Sequence, residues 1–145
     1  TRAPVLVEIK AVPAAELAVT ILSRYFDPEV WQEEAPPARI ISFHAEALRI
    51  ARATAPRIPR GFLTRELDDQ ALEDAAGAEA HTLSVRMSEL REGDAQRIRE
   101  RGMVPNTWAV RTEREIRAAV DLGVPWMGSD DPAWTRRVID RHLHR

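Results

Sequence analysis

Apolar and polar positions along this chain switch repeatedly between two periods. Short runs dense in aliphatic and β-branched residues predict strands over residues 5–10, 39–43, 61–63, 82–85, 106–110 and 124–129. Their starts lie roughly 20 to 35 residues apart, the spacing of βα units. Between them the apolar positions follow the helical period. After Pro13, residues Ala14, Leu17, Ala18, Ile21 and Leu22 form one stripe at i, i+3, i+4, i+7 and i+8. Strands alternating with helices imply a parallel sheet covered by helices, an α/β fold.

Helix ends carry their own chemistry. Thr112 and Glu115 have the spacing of a capping box, in which each side chain satisfies a free backbone N–H at a helix start. Ile116, Ala119 and Val120 then supply the inward face, and Gly123 suits the left-handed position just past the end. Asp131 followed by Pro132 predicts another helix start, with proline at the first helical position. Ser42 or His44 opens a helix running to about Ala55, stopped by Pro56. The stretch 27–38, with Pro28, Pro36 and Pro37, reads as a loop holding at most one helical turn.

Composition adds limits rather than identity. The 145 residues suit one domain, and 44% apolar residues suffice for a core. A net charge of -2 gives no bulk attraction to nucleic acid or to an anionic membrane surface. Without cysteine, disulfides and thiolate metal sites are excluded. No apolar run is long enough to span a bilayer, and no signal peptide is visible. The compartment is left open, with a cytoplasmic location as the working expectation. The first residue is Thr, and a buried-looking strand starts at Val5, so the chain is expected to be processed, truncated or taken from an internal point.

The informative oddity is charge identity. The basic residues are twenty arginines and one lysine, Lys10, which follows Glu8 by two positions at the end of the first predicted strand. Residues two apart in a strand share a face, so a carboxylate and an ammonium are expected to project together. Such a pair can bind a metal and a phosphate, or it can be a structural ion pair. A Schiff-base lysine is the chemical rival, but a neighbouring carboxylate stabilises the charged amine and weakens it as a nucleophile. No G-x-G-x-x-G or G-x-x-x-x-G-K-[ST] run is present to indicate a nucleotide fold.

Taken in order, the segments resemble the glycerophosphodiester phosphodiesterase family, metal-dependent hydrolases with a TIM (β/α)8 barrel. Val5-Leu6-Val7-Glu8-Ile9-Lys10 is similar to its third strand, an apolar run ending Glu-x-Lys. Ile40-Ile41-Ser42-Phe43, with Glu46-Ala47-Leu48 following, resembles its fourth, and Pro59-Arg60-Gly61-Phe62-Leu63 its fifth. Gly102-Met103-Val104-Pro105-Asn106-Thr107-Trp108-Ala109-Val110 resembles its seventh, and Gly123-Val124-Pro125-Trp126-Met127-Gly128-Ser129-Asp130-Asp131-Pro132 its closing segment. The resemblance implies that this chain supplies about six βα units, the C-terminal portion of such a barrel.

Function follows from the resemblance as an expectation. The complete protein would hydrolyse a small glycerophosphodiester to glycerol 3-phosphate and an alcohol, using Mg²⁺ or Ca²⁺. Glu8 is implied to be a metal ligand and Lys10 a catalytic cation that neutralises phosphate oxygens. Trp108 and Phe43 are implied to line the substrate mouth, although either could instead pack in the core. The family's two catalytic histidines, a phosphate-contacting arginine and a Glu-x-Asp metal pair have no counterparts here. The family's Asp after Ser-Phe is His44, its Asn after strand seven is Arg111, and the Asp of its closing segment is Pro125. His44 and His81 read as structural, and His142 and His144 as a poor metal pair on different helix faces. The isolated chain is therefore expected to be inactive, and to need missing N-terminal barrel strands or another chain. The competing expectation is a non-catalytic half-barrel that acts as a subunit or binds a partner.

Overall fold

The structure, a computed structural model, describes residues 5–25 and 38–144. Six strands alternate with six helices: β1 (Val5–Glu8), α1 (Ala15–Tyr25), β2 (Ala38–Ser42), α2 (Ala45–Thr54), β3 (Arg60–Thr64), α3 (Asp69–Gly77), β4 (Thr82–Arg86), α4 (Asp94–Glu100), β5 (Val104–Val110), α5 (Glu113–Asp121), β6 (Trp126–Ser129) and α6 (Pro132–Leu143). The strands form one sheet in chain order, and every neighbouring pair is parallel. Of the irregular stretch 27–38, only Ala38 lies within the described residues, and it opens β2.

Register separates the two faces of the sheet. Ile40, Phe62, Leu83 and Val85 point to the helical layer and meet Leu48, Leu72, Ile98, Ile116 and Val138, all buried in one core. The other face carries Gly61, Thr82, Ser84 and Asn106, matched across β3, β4 and β5. Gly61 has no room for a side chain, because a Cβ would press on the Thr82 hydroxyl and approach Ile41 Cγ2 to 3.2 Å. Asn106 Oδ1 is buried without a partner among the described residues.

Two contacts show how far the sheet curls. Strands lie about 4.8 Å apart, so β2 and β6 would be separated by roughly 19 Å in a flat sheet. Yet the Arg39 guanidinium of β2 stands 4.7 Å from the centre of the Trp126 ring on β6. Phe43, just past β2, likewise meets Trp108 of β5 with ring centres 5.4 Å apart. The six strands therefore wrap around a lumen as a half-barrel of the TIM type.

Element ends shift by a few residues from their predicted places. The first strand stops at Glu8 rather than Lys10, although Ile9 N–H still donates to Ile41 O at 2.8 Å. The last strand begins at Trp126 rather than Val124, because the Val124 N–H closes the end of α5 on Ala119 O at 3.0 Å. The α1 stripe is also displaced. Ala15 and Val19 are its buried positions, with Ala18 and Leu22 packed beside them, while Leu17 is 65% exposed.

Candidate functional site

In a parallel sheet all strand C-termini open on the same side, and barrel chemistry collects there. That side here gathers Glu8 at the end of β1, Phe43 after β2, Arg65 after β3, Arg86 ending β4 and Trp108 in register with Arg86 on β5. Lys10 lies two residues past β1.

Glu8 and Lys10 owe their placement to the residue between them. Ile9 is buried, and its backbone is held twice: its N–H donates to Ile41 O, and its carbonyl accepts from Ser42 Oγ at 2.7 Å. Ser42, itself buried, also accepts the His44 N–H at 3.0 Å. With Ile9 turned into the helical layer, alternation turns Glu8 and Lys10 the other way, and both are exposed. His44 occupies the N-cap position of α2, but its side chain makes no capping hydrogen bond.

Phe43 and Trp108 form an edge-to-face corner with an interplanar angle of 86°, a favoured aromatic arrangement. Both rings are half-buried. The Trp108 indole N–H reaches Ser84 O at 3.4 Å. The β5–β6 pairing shifts register between Thr107 and Val110, and such irregularities re-aim side chains at barrel rims. A guanidinium covers each ring: Arg65 lies 5.7 Å from the Phe43 centre and Arg86 5.5 Å from the Trp108 centre. Beside this corner opens a cleft of about 420 Å³ lined by Arg86, Ser88, Trp108, Arg111 and Glu115, among others. A larger depression of about 540 Å³ runs along α5, but its lining residues Glu113, Arg114, Arg117 and Asp121 belong to the helical layer and not to the strand ends.

Glu115 is committed locally. Its carboxylate accepts the backbone N–H groups of Arg111 at 2.8 Å and Thr112 at 2.9 Å, while Thr112 Oγ1 accepts the Glu115 N–H at 3.2 Å. The Arg111 N–H above all, then that of Thr112, holds the carboxyl below the ordinary glutamate range.

The opposite end of the sheet is structural. Arg60, the first residue of β3, is buried and donates to the carbonyls of Pro56, Ile58, Ala78 and Glu79. His81 Nδ1 accepts the Arg60 N–H at 3.2 Å. Partial burial, then the charges of Arg60 and Arg39, push the His81 pKa down. His142 pairs with Asp121 at 2.6 Å, away from His144, which caps the end of α6.

Among the described residues, no three His, Asp or Glu side chains gather where they could hold a metal ion together. Glu8 offers one carboxylate at the mouth, whereas Mg²⁺ or Ca²⁺ takes six or more oxygen ligands. The donor set these residues provide is therefore incomplete. Arg65 and Arg86 escaped the sequence reading. Their signal was position, since each stands at the C-terminal end of a strand, where barrel residues meet ligands.

The sequence profile of the glycerophosphoryl diester phosphodiesterase family matches residues 3–134. Comparison with curated proteins returns no match. Among solved structures, a glycerophosphodiester phosphodiesterase of Parabacteroides distasonis superposes with a TM-score of 0.78 at 19% identity, over 97% of this chain and 58% of that one. An Oleispira antarctica phosphodiesterase, solved in complex with the product sn-glycerol-3-phosphate, gives 0.76 at 20% identity, over 92% of this chain and 53% of that one. A glycerophosphodiester phosphodiesterase of Agrobacterium tumefaciens gives 0.67 at 19% identity, over 93% and 55%. At these identities the likeness is one of fold. The chain spans about half the length of the structures it matches.

Proposed function

The chain belongs to the glycerophosphoryl diester phosphodiesterase family, and on that premise we propose that it is the C-terminal six βα units of a barrel which, when complete, hydrolyses glycerophosphodiesters to glycerol 3-phosphate and an alcohol. One observation carries this reading. A carboxylate and the only lysine of the chain flank a doubly anchored Ile9 at the same sheet end as an aromatic corner. An ammonium there suits a phosphate oxygen as a compact point charge. The Trp108 and Phe43 rings suit the CH face of a polyol and exclude water from one side of it.

Divalent-cation dependence, on Mg²⁺ or Ca²⁺, is part of the proposal. Glu8 would be one oxygen ligand, and the remaining ligands would have to come from outside the described residues. Such a cation, when bound, polarises a phosphoryl oxygen. The role assigned to Lys10 is to offset charge building on the phosphate oxygens, and that of Trp108 and Phe43 is to line the substrate mouth.

The test is hydrolysis of glycerophosphoglycerol and glycerophosphocholine by the full-length protein with Mg²⁺ or Ca²⁺. Glu8→Gln and Lys10→Ala are each expected to lower kcat/KM on the order of 100-fold or more, with circular dichroism unchanged. Trp108→Ala is expected to act mainly on KM. A full-length protein without turnover on any glycerophosphodiester, or one indifferent to Glu8→Gln, would overturn the reading.

A further inference from the structure

The aromatic corner meets two arginines that the proposed hydrolysis does not use. Aromatic faces at such a mouth would ordinarily welcome a quaternary ammonium, the way aromatic cages hold choline. Here Arg65 covers Phe43 and Arg86 covers Trp108, each guanidinium within 5.7 Å of its ring centre. One face of each ring thus already holds a cation, and a second positive group there would be repelled.

A cation–π contact uses the charge of a guanidinium and does not engage its N–H groups in hydrogen bonds. Among the described residues, neither Arg65 nor Arg86 has a carboxylate within 4.0 Å. The nearby acids are engaged elsewhere, Glu66 with Arg91 at 3.7 Å and Glu115 with the backbone at the start of α5. Arg111 lines the same cleft as Arg86 and Trp108. Three arginines therefore present donors on the β3–β5 side of the mouth, while Glu8 and Lys10 stand on the β1 side.

We propose that Arg65, Arg86 and Arg111 form a rim that binds a second anionic group, a phosphate monoester or carboxylate, on the alcohol half of the diester. The inference rests on the hydrolase reading and narrows its substrate class: diesters of anionic alcohols are preferred over those of neutral ones, and choline diesters are disfavoured. A planar fork aimed at oxyanions gives this rim geometry as well as charge.

The experiment compares binding of two ligands that differ by one phosphate, glycerophosphoglycerol and glycerophosphoglycerol phosphate. Calorimetry on the full-length protein in EDTA reads affinity without turnover. The phosphorylated ligand is expected to bind about tenfold more tightly or better, as charge-assisted hydrogen bonds imply. In Arg65→Met/Arg86→Met the ratio of the two Kd values is expected to fall to about twofold or less. Arg65→Lys/Arg86→Lys, which keeps charge but loses the fork, is expected to fall between and guards against a folding defect in the Met variant. Equal affinities in the unaltered protein, or a ratio that survives both double variants, would sink the assignment. Loss of hydrolysis for every diester with the Kd ratio intact would refute the hydrolase reading and leave the rim standing.

Discussion

At the scale of single residues, Ser42 matters as much as the groups it serves. Its hydroxyl donates to Ile9 O and accepts from His44 N–H, so the ends of β1 and β2 are tied through one side chain. Ser42→Ala leaves a buried carbonyl unpaired and is expected to cost about 1–2 kcal/mol of stability. If that tie also aims Glu8 and Lys10, kcat/KM should fall about tenfold in assays run well below the melting temperature. Urea unfolding beside steady-state kinetics checks both, and a stability loss with unchanged kcat/KM would limit Ser42 to a structural role. The sequence made Glu8, Lys10, Phe43 and Trp108 visible because a motif or an aromatic in a strand draws the eye. Arg65 and Arg86 stayed hidden among twenty arginines, since their meaning lies in which rings they cover. Arg60 was hidden for the same reason: nothing local says that four carbonyls converge on it.

Among elements, caps were legible because capping is a contact between near neighbours in sequence. The Thr112–Glu115 box and the Asp131 cap with Pro132 both form as the residue types predict. Thr112→Ala is expected to destabilise the protein by about 1 kcal/mol in thermal or urea unfolding. Glu115 adds a pH signature. Its folded pKa is depressed, so its contribution is complete above the ordinary glutamate value of about 4.3 and is lost as pH falls through the folded value. The stability gap between the unaltered protein and Glu115→Gln should therefore be flat at neutral pH and close only in acid. A gap that widened on acidification would contradict this. Faces of helices were less legible than their ends. The α1 stripe has two adjacent apolar solutions, and packing in which α2 is the main neighbour selects Ala15 and Val19 over Leu17 and Ile21. Periodicity alone has no access to that choice, because it depends on where α2 and the rest of the core lie against the helix.

For the molecule as a whole, both sheet edges carry apolar surface. On β1, Val5 is 53% and Leu6 61% exposed, and on β6 Trp126 is 45% exposed. Leu17, Ile21 and Tyr25 of α1 add further exposed apolar surface. Native sheets rarely leave such edges bare. Residues 1–145 expressed alone are therefore expected to self-associate in sedimentation velocity runs, and Leu6→Lys to reduce that association. A discrete, closed dimer would favour the reading as a non-catalytic subunit, and a stable monomer would refute the expectation. The order and direction of the strands were readable from spacing, because βα units of this length admit few topologies. The degree of curl was not, since it depends on strand tilt and stagger and shows only in contacts such as Arg39 with Trp126, far apart in sequence. That pair has a mechanical meaning. It acts as a tie across the lumen, so the bend is already built into these six units and does not wait for a ring to shut. Strands that complete the barrel would dock onto a preformed cradle, and the work of bending would fall on this half alone.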